Sequence, residues 1–361
     1  MIRKFLSILL ILLISISGFS NAEAQKFRYE FFDTFDTLIA IVAYTNDKKL
    51  FDSEMKKVKE IFTHYHQLFD IYNEYEGINN LATVNKLAFQ KSVKVDEELF
   101  DFLVYVKDLQ NDLNTPANIA LGRVLNLWND ARNATESNPQ KGFIPEFSQL
   151  KAASEHSNIN SLILDENTQS VKFTDNIQLD VGSVAKGYAC EKAAQYLLNS
   201  KIPNFIINAG GNIRTGHKPL DERVYWGVGI ADPFKTHEMS GDIYDVVFIK
   251  DSSLVTSGDY QRFFIYDGKK YHHIIDPATL FPANYFKSVS IYTENSALAD
   301  YLSTSVFCLP LEQGMKLINS IDGVEAMWIL NDGSSVATDG FKIIQKSQGA
   351  SSLKLRDWDF C

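Results

Sequence analysis

Four short stretches of the chain carry the residue types that handle phosphates, hard cations and protons. In Asp180-Val181-Gly182-Ser183-Val184-Ala185-Lys186-Gly187 a carboxylate, small residues and an ammonium precede a helix start. The unpaired N–H groups of a helix's first turn attract anions, so this stretch suits a phosphate or diphosphate. An Asp cap with Gly182 in a tight turn explains the same spacing. Asn208-Ala209-Gly210-Gly211-Asn212 pairs two glycines, which let backbone come close to a flat or phosphorylated ligand, and by itself reads equally as a plain turn. Thr256-Ser257-Gly258-Asp259-Tyr260 is followed by His272-His273-Ile274-Ile275-Asp276-Pro277. A histidine beside a carboxylate can accept a hydroxyl proton near neutral pH, while a His-His pair in a Tyr-rich stretch also suits a structural role. In Ala299-Asp300-Tyr301-Leu302-Ser303-Thr304, Asp300 and Thr304 stand at i and i+4 of an amphipathic helix and therefore on one face. Two such oxygens fit Mg²⁺ bridging to a substrate phosphate; an ordinary polar helix face has the same spacing.

The elements that must position these residues follow from periodicity. Apolar residues at three- and four-residue steps predict helices over 53–69 and 97–113, and further helices are expected over about 184–199, 296–307 and 311–320. Strands are expected within 29–44 and 163–173 and at 204–208, 226–230, 246–250, 263–266, 288–292 and 325–330. Residues 131–158 turn polar around Asn138-Pro139 and read as an irregular connection or lid, the best place for a lobe boundary. The class is α+β, or mixed α/β, with no internal repeat.

Composition narrows the function. The chain has 361 residues, 45% hydrophobic and 22% charged, with 35 Lys+Arg against 45 Asp+Glu and a formal net charge of −10. Disorder, collagen and coiled coil are excluded, and no nucleic acid partner is expected of so acidic a chain. Cys190, Cys308 and Cys361 lack the spacing of a zinc or redox pair. Gly227-Val228-Gly229 lacks the third glycine of a dinucleotide fingerprint, and neither a phosphate-binding Gly-Lys-Ser/Thr loop nor a His-Glu-x-x-His metal motif occurs. Arg3 and Lys4 precede the apolar run Phe5–Ile16 and the small residues Ala22 and Ala24. The run falls short of the ~20 residues that span a bilayer and has a signal-peptide layout, so residues 1–24 are expected to direct export and to be cleaved or kept as a membrane tether. Unpaired thiols in an exported chain imply either that they are buried or that the cell is poor in oxidants.

In this order the motifs resemble those of the ApbE family, the FAD:protein FMN transferases. The family's Asp-x-Gly-Gly/Ser-x-Ala-Lys-Gly-Tyr-Ala block is similar to Asp180–Ala189, and its Asn-x-Gly-Gly-Asp/Asn-Ile/Leu-Arg block to Asn208–Arg214. Its Ser-Gly-Asp-Tyr block resembles Thr256–Phe263, its His-Ile-Ile-Asp-Pro block His273–Pro282, and its Ala-Asp block Ala299–Thr304. A looser likeness covers Asn118–Trp128, and the whole spans about residues 30–341. The resemblance implies a two-lobed ApbE-like domain over 25–345, followed by a tail over 346–361, with an FAD and Mg²⁺ site in the cleft between lobes. It implies transfer of FMN from FAD to a Ser or Thr hydroxyl of a target protein as a phosphoester, with release of AMP. His273 is then the general base, and Ser183, Asp300 and Thr304 hold Mg²⁺. FAD is expected to meet Tyr72, Pro116, Ala117, Asn118, Asp180, Lys186, Asn208, Gly210, Gly211, Ser257, Asp259 and His273. Targets carrying an FMN-binding-type Ser/Thr acceptor motif, such as membrane electron-transfer subunits, are the implied partners, reached outside the cytoplasm of a bacterial cell. An FAD diphosphatase yielding FMN and AMP, or an exported flavin-binding protein without turnover, are the other readings.

Three positions depart from the family pattern. Leu280 stands where Gly is usual, so the turn after Thr279 is expected to differ and to reshape the flavin pocket. Asn118 replaces a common Asp, which removes a negative charge near the implied cleft; Ala297 stands where some relatives have an acidic residue, so fewer protein ligands to the metal are expected.

Overall fold

In the computed structural model, which describes residues 24–235 and 242–356, the chain opens with a hairpin of β1 (Gln25–Thr34) and β2 (Thr37–Thr45). Helices α1 (Lys48–Phe69) and α2 (Leu81–Leu87), the short β3 (Val93–Lys94), then α3 (Glu97–Leu113), α4 (Gly122–Ser137) and α5 (Phe147–Ser154) follow. After β4 (Leu162–Asp165) and β5 (Ser170–Phe173) come α6 (Ala185–Leu198), β6 (Phe205–Ala209) and β7 (Asn212–Thr215). Next are β8 (Trp226–Ala231), β9 (Ile243–Ile249), β10 (Ser253–Gly258), the hairpin β11 (Phe263–Tyr266) and β12 (Lys269–His272), and β13 (Ser288–Thr293). The described chain ends with α7 (Ser296–Phe307), α8 (Leu311–Asn319), β14 (Glu325–Ile329), β15 (Ser335–Ala337) and α9 (Asp339–Ile344).

Eight strands form one sheet in the order β1-β2-β6-β7-β10-β13-β14-β15, and each neighbouring pair is antiparallel. Side chains alternate across a strand, and this sheet is covered on both faces. Ala326 and Trp328 of β14 enter the main core, with Val255 of β10 and the buried faces of α1, α6 and α7. Their neighbours Met327 and Ile329 enter a second core with Leu254 and with Val228 and Ile230 of β8. A third cluster joins α4 and α5 to the β11–β12 hairpin through Trp128, Leu150, Phe264 and Tyr271. The α+β class expected from the sequence is the one observed.

Helices α6 and α7 meet closely because Gly187 has no side chain: a Cβ there would lie 2.3 Å from the Ser296 carbonyl oxygen and 2.5 Å from the Asp300 Cβ. One turn on, the buried Glu191 accepts from Arg214 Nε at 3.0 Å and from the Ser296 backbone N–H at 2.9 Å, tying α6 to β7 and to the first turn of α7. Removing one partner of a buried pair strands the other charge, at a cost of about 3–5 kcal/mol. Glu191→Ala is accordingly expected to lower stability by about that amount, which a shift of the urea midpoint at unchanged slope would show; a midpoint within error of the parent would overturn this account.

The expectation of an irregular stretch over 131–158 is corrected. Helix α4 continues to Ser137, Asn138-Pro139 ends it, and α5 follows, so that only about 138–146 and 155–158 lack regular helix, apart from a short turn at Pro139–Lys141. The helical face was masked in the sequence because Trp128, Ala131 and Thr135 are the buried residues over its last three turns, and only one of them is large. Cys190 and Cys308 are buried and unpaired, as expected. The apolar N-terminal run, Trp358, Phe360 and Cys361 lie outside the described residues. The described part of the tail packs back on the body, the Ser352 carbonyl accepting from the Val224 and Tyr225 N–H groups.

Candidate functional site

A cavity of about 900 Å³, within the range of cofactor and substrate sites, opens beside the β6–β7 turn. Loops from four directions reach it, each fixed by a local device. The Tyr72 loop is built on Asp70, whose carboxylate accepts from the Tyr72 and Asn73 N–H groups, the Asn73 amide and the Tyr75 hydroxyl. Burial works to raise the Asp70 pKa, and these bonds outweigh it and hold the carboxyl below its ordinary value. Tyr72 is 68% exposed and its hydroxyl accepts from Asn129 Nδ2 of α4 at 3.1 Å. The Pro116-Ala117-Asn118 loop is held by Tyr301, whose hydroxyl donates to the Ala117 carbonyl at 3.1 Å, and by Asn118 Oδ1 accepting from Ala120 N–H at 2.9 Å. Asn85 brackets Leu179, donating to its carbonyl and accepting from its N–H, and so presents Asp180. At the β6–β7 turn Gly210 and Gly211 have φ of 60° and 96°, the left-handed pair that a two-residue hairpin demands. The turn is closed by Asn208 Oδ1 accepting from Gly211 N–H.

Two carboxylates at this site are pushed up by burial. For Asp180 the Gly182 N–H and the charges of Arg262 and Arg132 oppose the rise; for Asp300 the charge of Lys186, the Gly187 N–H and the Asn212 amide do so. Asp300 is 3% exposed, and its Oδ2 accepts from Gly187 N–H at 2.8 Å, so a side chain of α7 takes up a first-turn donor of α6. His273 comes directly after β12. Its backbone N–H and its ring Nδ1 meet the Arg262 carbonyl at 3.0 and 3.2 Å. A carbonyl only accepts, so the ring proton is assigned to Nδ1 and Nε2 keeps its lone pair. The ring is open to the cavity, yet enclosure by protein, then the charges of Lys186, His272 and Arg262, push its pKa well below the ordinary value. His272 is spent on structure: Nε2 donates to the Ala283 carbonyl at 2.7 Å and Nδ1 accepts from Ile274 N–H at 3.3 Å.

The cavity wall gathers Tyr72, Pro116, Ala117 and Asn118, then Asp180, Ser183 and Lys186, and also Asn208, Gly210, Gly211, His273 and Thr304. Three expected residues are not on it. Asp300 lies behind the wall on the Gly187 N–H, Ser257 is buried with its hydroxyl 2.7 Å from that of Ser303, and Asp259 is buried against Lys270 and Lys287. Arg132, Arg262 and Asn129 line the cavity without having been singled out. Arg262 lies within the Thr256–Phe263 block and is legible from that motif; Arg132 and Asn129 sit on α4, whose helical period the sequence does not announce. At Leu280, where the turn was expected to differ, the backbone remains one that a glycine could follow. Leu280 itself adopts the left-handed conformation natural to glycine, with φ 65°, its carbonyl accepts from Trp128 Nε1 at 2.9 Å, and its side chain is buried in the third cluster, off the cavity wall.

Comparison with known proteins finds the profile of the ApbE family matching residues 35–328. The FAD:protein FMN transferase of Treponema pallidum is 32% identical over 297 residues, covering 78% of this chain and 79% of the relative. That of Klebsiella pneumoniae is 27% identical over 293 residues, covering 81% and 85%. Among solved structures, the ApbE protein of Thermotoga maritima superposes with a TM-score of 0.77 at 25% identity over 89% of this chain and 99% of its own. The flavin transferase ApbE of Vibrio cholerae does so with 0.72 at 21% identity, covering 89% and 99%.

Proposed function

The chain belongs to the ApbE family and is an FAD:protein FMN transferase, and we propose that its reaction runs in the cavity between Asp180, Lys186, Thr304 and His273. The observation that carries this reading is the meeting on one wall of a histidine with a free Nε2, a lysine in the first turn of α6 and a helix hydroxyl, from three distant parts of the chain. In the proposed step an acceptor Ser or Thr oxygen bonds to the FMN-side phosphorus of FAD. The bond from that phosphorus to the bridging oxygen breaks, AMP leaves with that oxygen, and the acceptor proton passes to His273 Nε2. Lys186 meets the diphosphate charge; Tyr72 and the Pro116–Asn118 loop lie along the flavin, and Asn208, Gly210 and Gly211 offer close backbone.

Asp300 is a buried carboxylate with one backbone hydrogen bond to Oδ2 and a lysine nearby, an anion short of positive charge. With the Thr304 hydroxyl one turn on and Ser183 at the facing helix start, the donor set is all oxygen, which fits a hard cation. Ser183, Asp300 and Thr304 would hold Mg²⁺, which when bound neutralises charge on a diphosphate. The acceptors we propose are proteins with an FMN-binding-type Ser/Thr motif, such as membrane electron-transfer subunits, met outside the cytoplasm. Residues 1–23 lie outside the described residues, and among those described no helix is long and apolar enough to cross a membrane.

The deciding experiment incubates the protein with FAD, Mg²⁺ and a domain bearing such a motif. One AMP released per flavin esterified to the domain is expected; AMP released with no flavin on the domain would leave a hydrolase. The depressed pKa of His273 also gives a pH prediction. A general base works deprotonated, so a lowered pKa carries the acid limb of the kcat/KM profile to pH values below the ordinary 6.5. An inflection at or above 6.5 in AMP release would contradict it.

A further inference from the structure

Asp259 is 5% exposed, and its Oδ2 takes the Lys270 ammonium at 2.7 Å and the Lys287 ammonium at 3.1 Å. The three residues come from three pieces of structure. Asp259 immediately follows β10, Lys270 sits within β12, and Lys287 immediately precedes β13. Strands β10 and β13 are already paired, with Gly258 opposite Ser288 and the Asp259 N–H donating to the Lys287 carbonyl at 3.0 Å, so their relation needs no further tie. The β11–β12 hairpin differs: among the described residues its two strands pair only with each other. Its apolar side rests on α4 through Phe264, Tyr271 and Trp128. The Asp259–Lys270 contact joins it to the main sheet three residues before His273. The other carboxylate oxygen, Oδ1, is buried without a hydrogen-bond partner, which is a poor arrangement for stability alone.

We propose that Asp259 is a positioning residue for His273, fixing through Lys270 the hairpin that ends at this histidine, without itself touching FAD. The inference rests on the reading of His273 as proton acceptor. A displacement of about 1 Å at a reacting group can cost about 100-fold in rate, so a remote tie of this kind is enough to matter.

The test uses Asp259→Ala, Asp259→Glu and Lys270→Met in the full chain, with kcat, KM for FAD and FAD affinity by flavin fluorescence. Asp259→Ala and Lys270→Met are each expected to lower kcat by roughly 10- to 100-fold with FAD affinity unchanged, the double variant to lose no more than either single one, and Asp259→Glu to recover part of the rate. In a His273→Ala background, Asp259→Ala is expected to cost nothing more in kcat. Weakened FAD binding at unchanged kcat would make Asp259 an FAD ligand and overturn the proposal. A rate loss as large in the His273→Ala background as in the parent would also overturn it, as a general effect on the fold. A His273→Ala protein with the parental rate would instead remove the base assignment itself, a result separate from any obtained at Asp259.

Discussion

Asp300→Asn is expected to abolish most of the AMP release while leaving the protein as stable as the parent in the absence of divalent cation. The amide keeps an oxygen for the Gly187 N–H that Asp300 Oδ2 now accepts at 2.8 Å, so the α6–α7 contact stays closed. What is lost is the charge. A single preorganised charge-stabilising group is worth about 10²- to 10³-fold in rate, and a bound cation several kcal/mol of charge stabilisation, so the loss should reach about 10³-fold. A buried carboxylate with one such bond is itself costly to fold around, which is why the substitution is not expected to lower the urea midpoint. Mg²⁺ should raise the midpoint of the parent, since a ligand bound only by the native state stabilises it, and should do nothing for Asp300→Asn. A variant that Mg²⁺ still stabilises, or that turns over at the parental rate, would remove Asp300 from the cation site.

His273→Ala is the second large effect. General-base assistance contributes about 10²- to 10⁴-fold, and the loss should fall on kcat, because in the proposed step the ring takes the acceptor proton while other groups on the wall hold FAD. The acid limb of the pH profile should vanish with the ring. A loss confined to KM for FAD, with kcat and the limb retained, would mean that His273 binds the substrate and another group takes the proton.

The motifs announced most of the site because each packs its devices into a few consecutive residues. The left-handed Gly210-Gly211 turn, the Asp180 to Gly187 entry into α6 and the Asp300/Thr304 helix face are local, and local geometry can be read from spacing. Helix α3 was expected over 97–113 and is found as Glu97–Leu113, with Asp96 accepting from Glu98 N–H as its cap and acidic residues in its first turn. Strand β10 escaped because Ser253–Gly258 carries little alternation: it lies in mid-sheet with both faces covered, and five of its six residues are buried. Helix α4 escaped because its apolar residues answer only to the third cluster, which includes the distant β11–β12 hairpin. The place of Asp259 could not be read at all. It stands in a motif of which Thr256, Tyr260, Gln261 and Arg262 reach the cavity, and only the three-dimensional meeting with Lys270 and Lys287 shows that its carboxylate faces elsewhere.

The two walls of the cavity are built differently, and this bears on how the enzyme can change over evolutionary time. On the side of α6 and α7 the proposed cation ligand Asp300 also holds the helices together through the Gly187 N–H, as Glu191 does through Ser296, so a change at Asp300 is punished twice. On the side of the Tyr72 loop, α4 and the Arg262 turn, side chains such as Asn129 and Arg132 are partly exposed and line the cavity without holding the core. Substitution should therefore be tolerated more readily at Asn129 and Arg132 on this second wall than at Asp300 or Glu191 on the first.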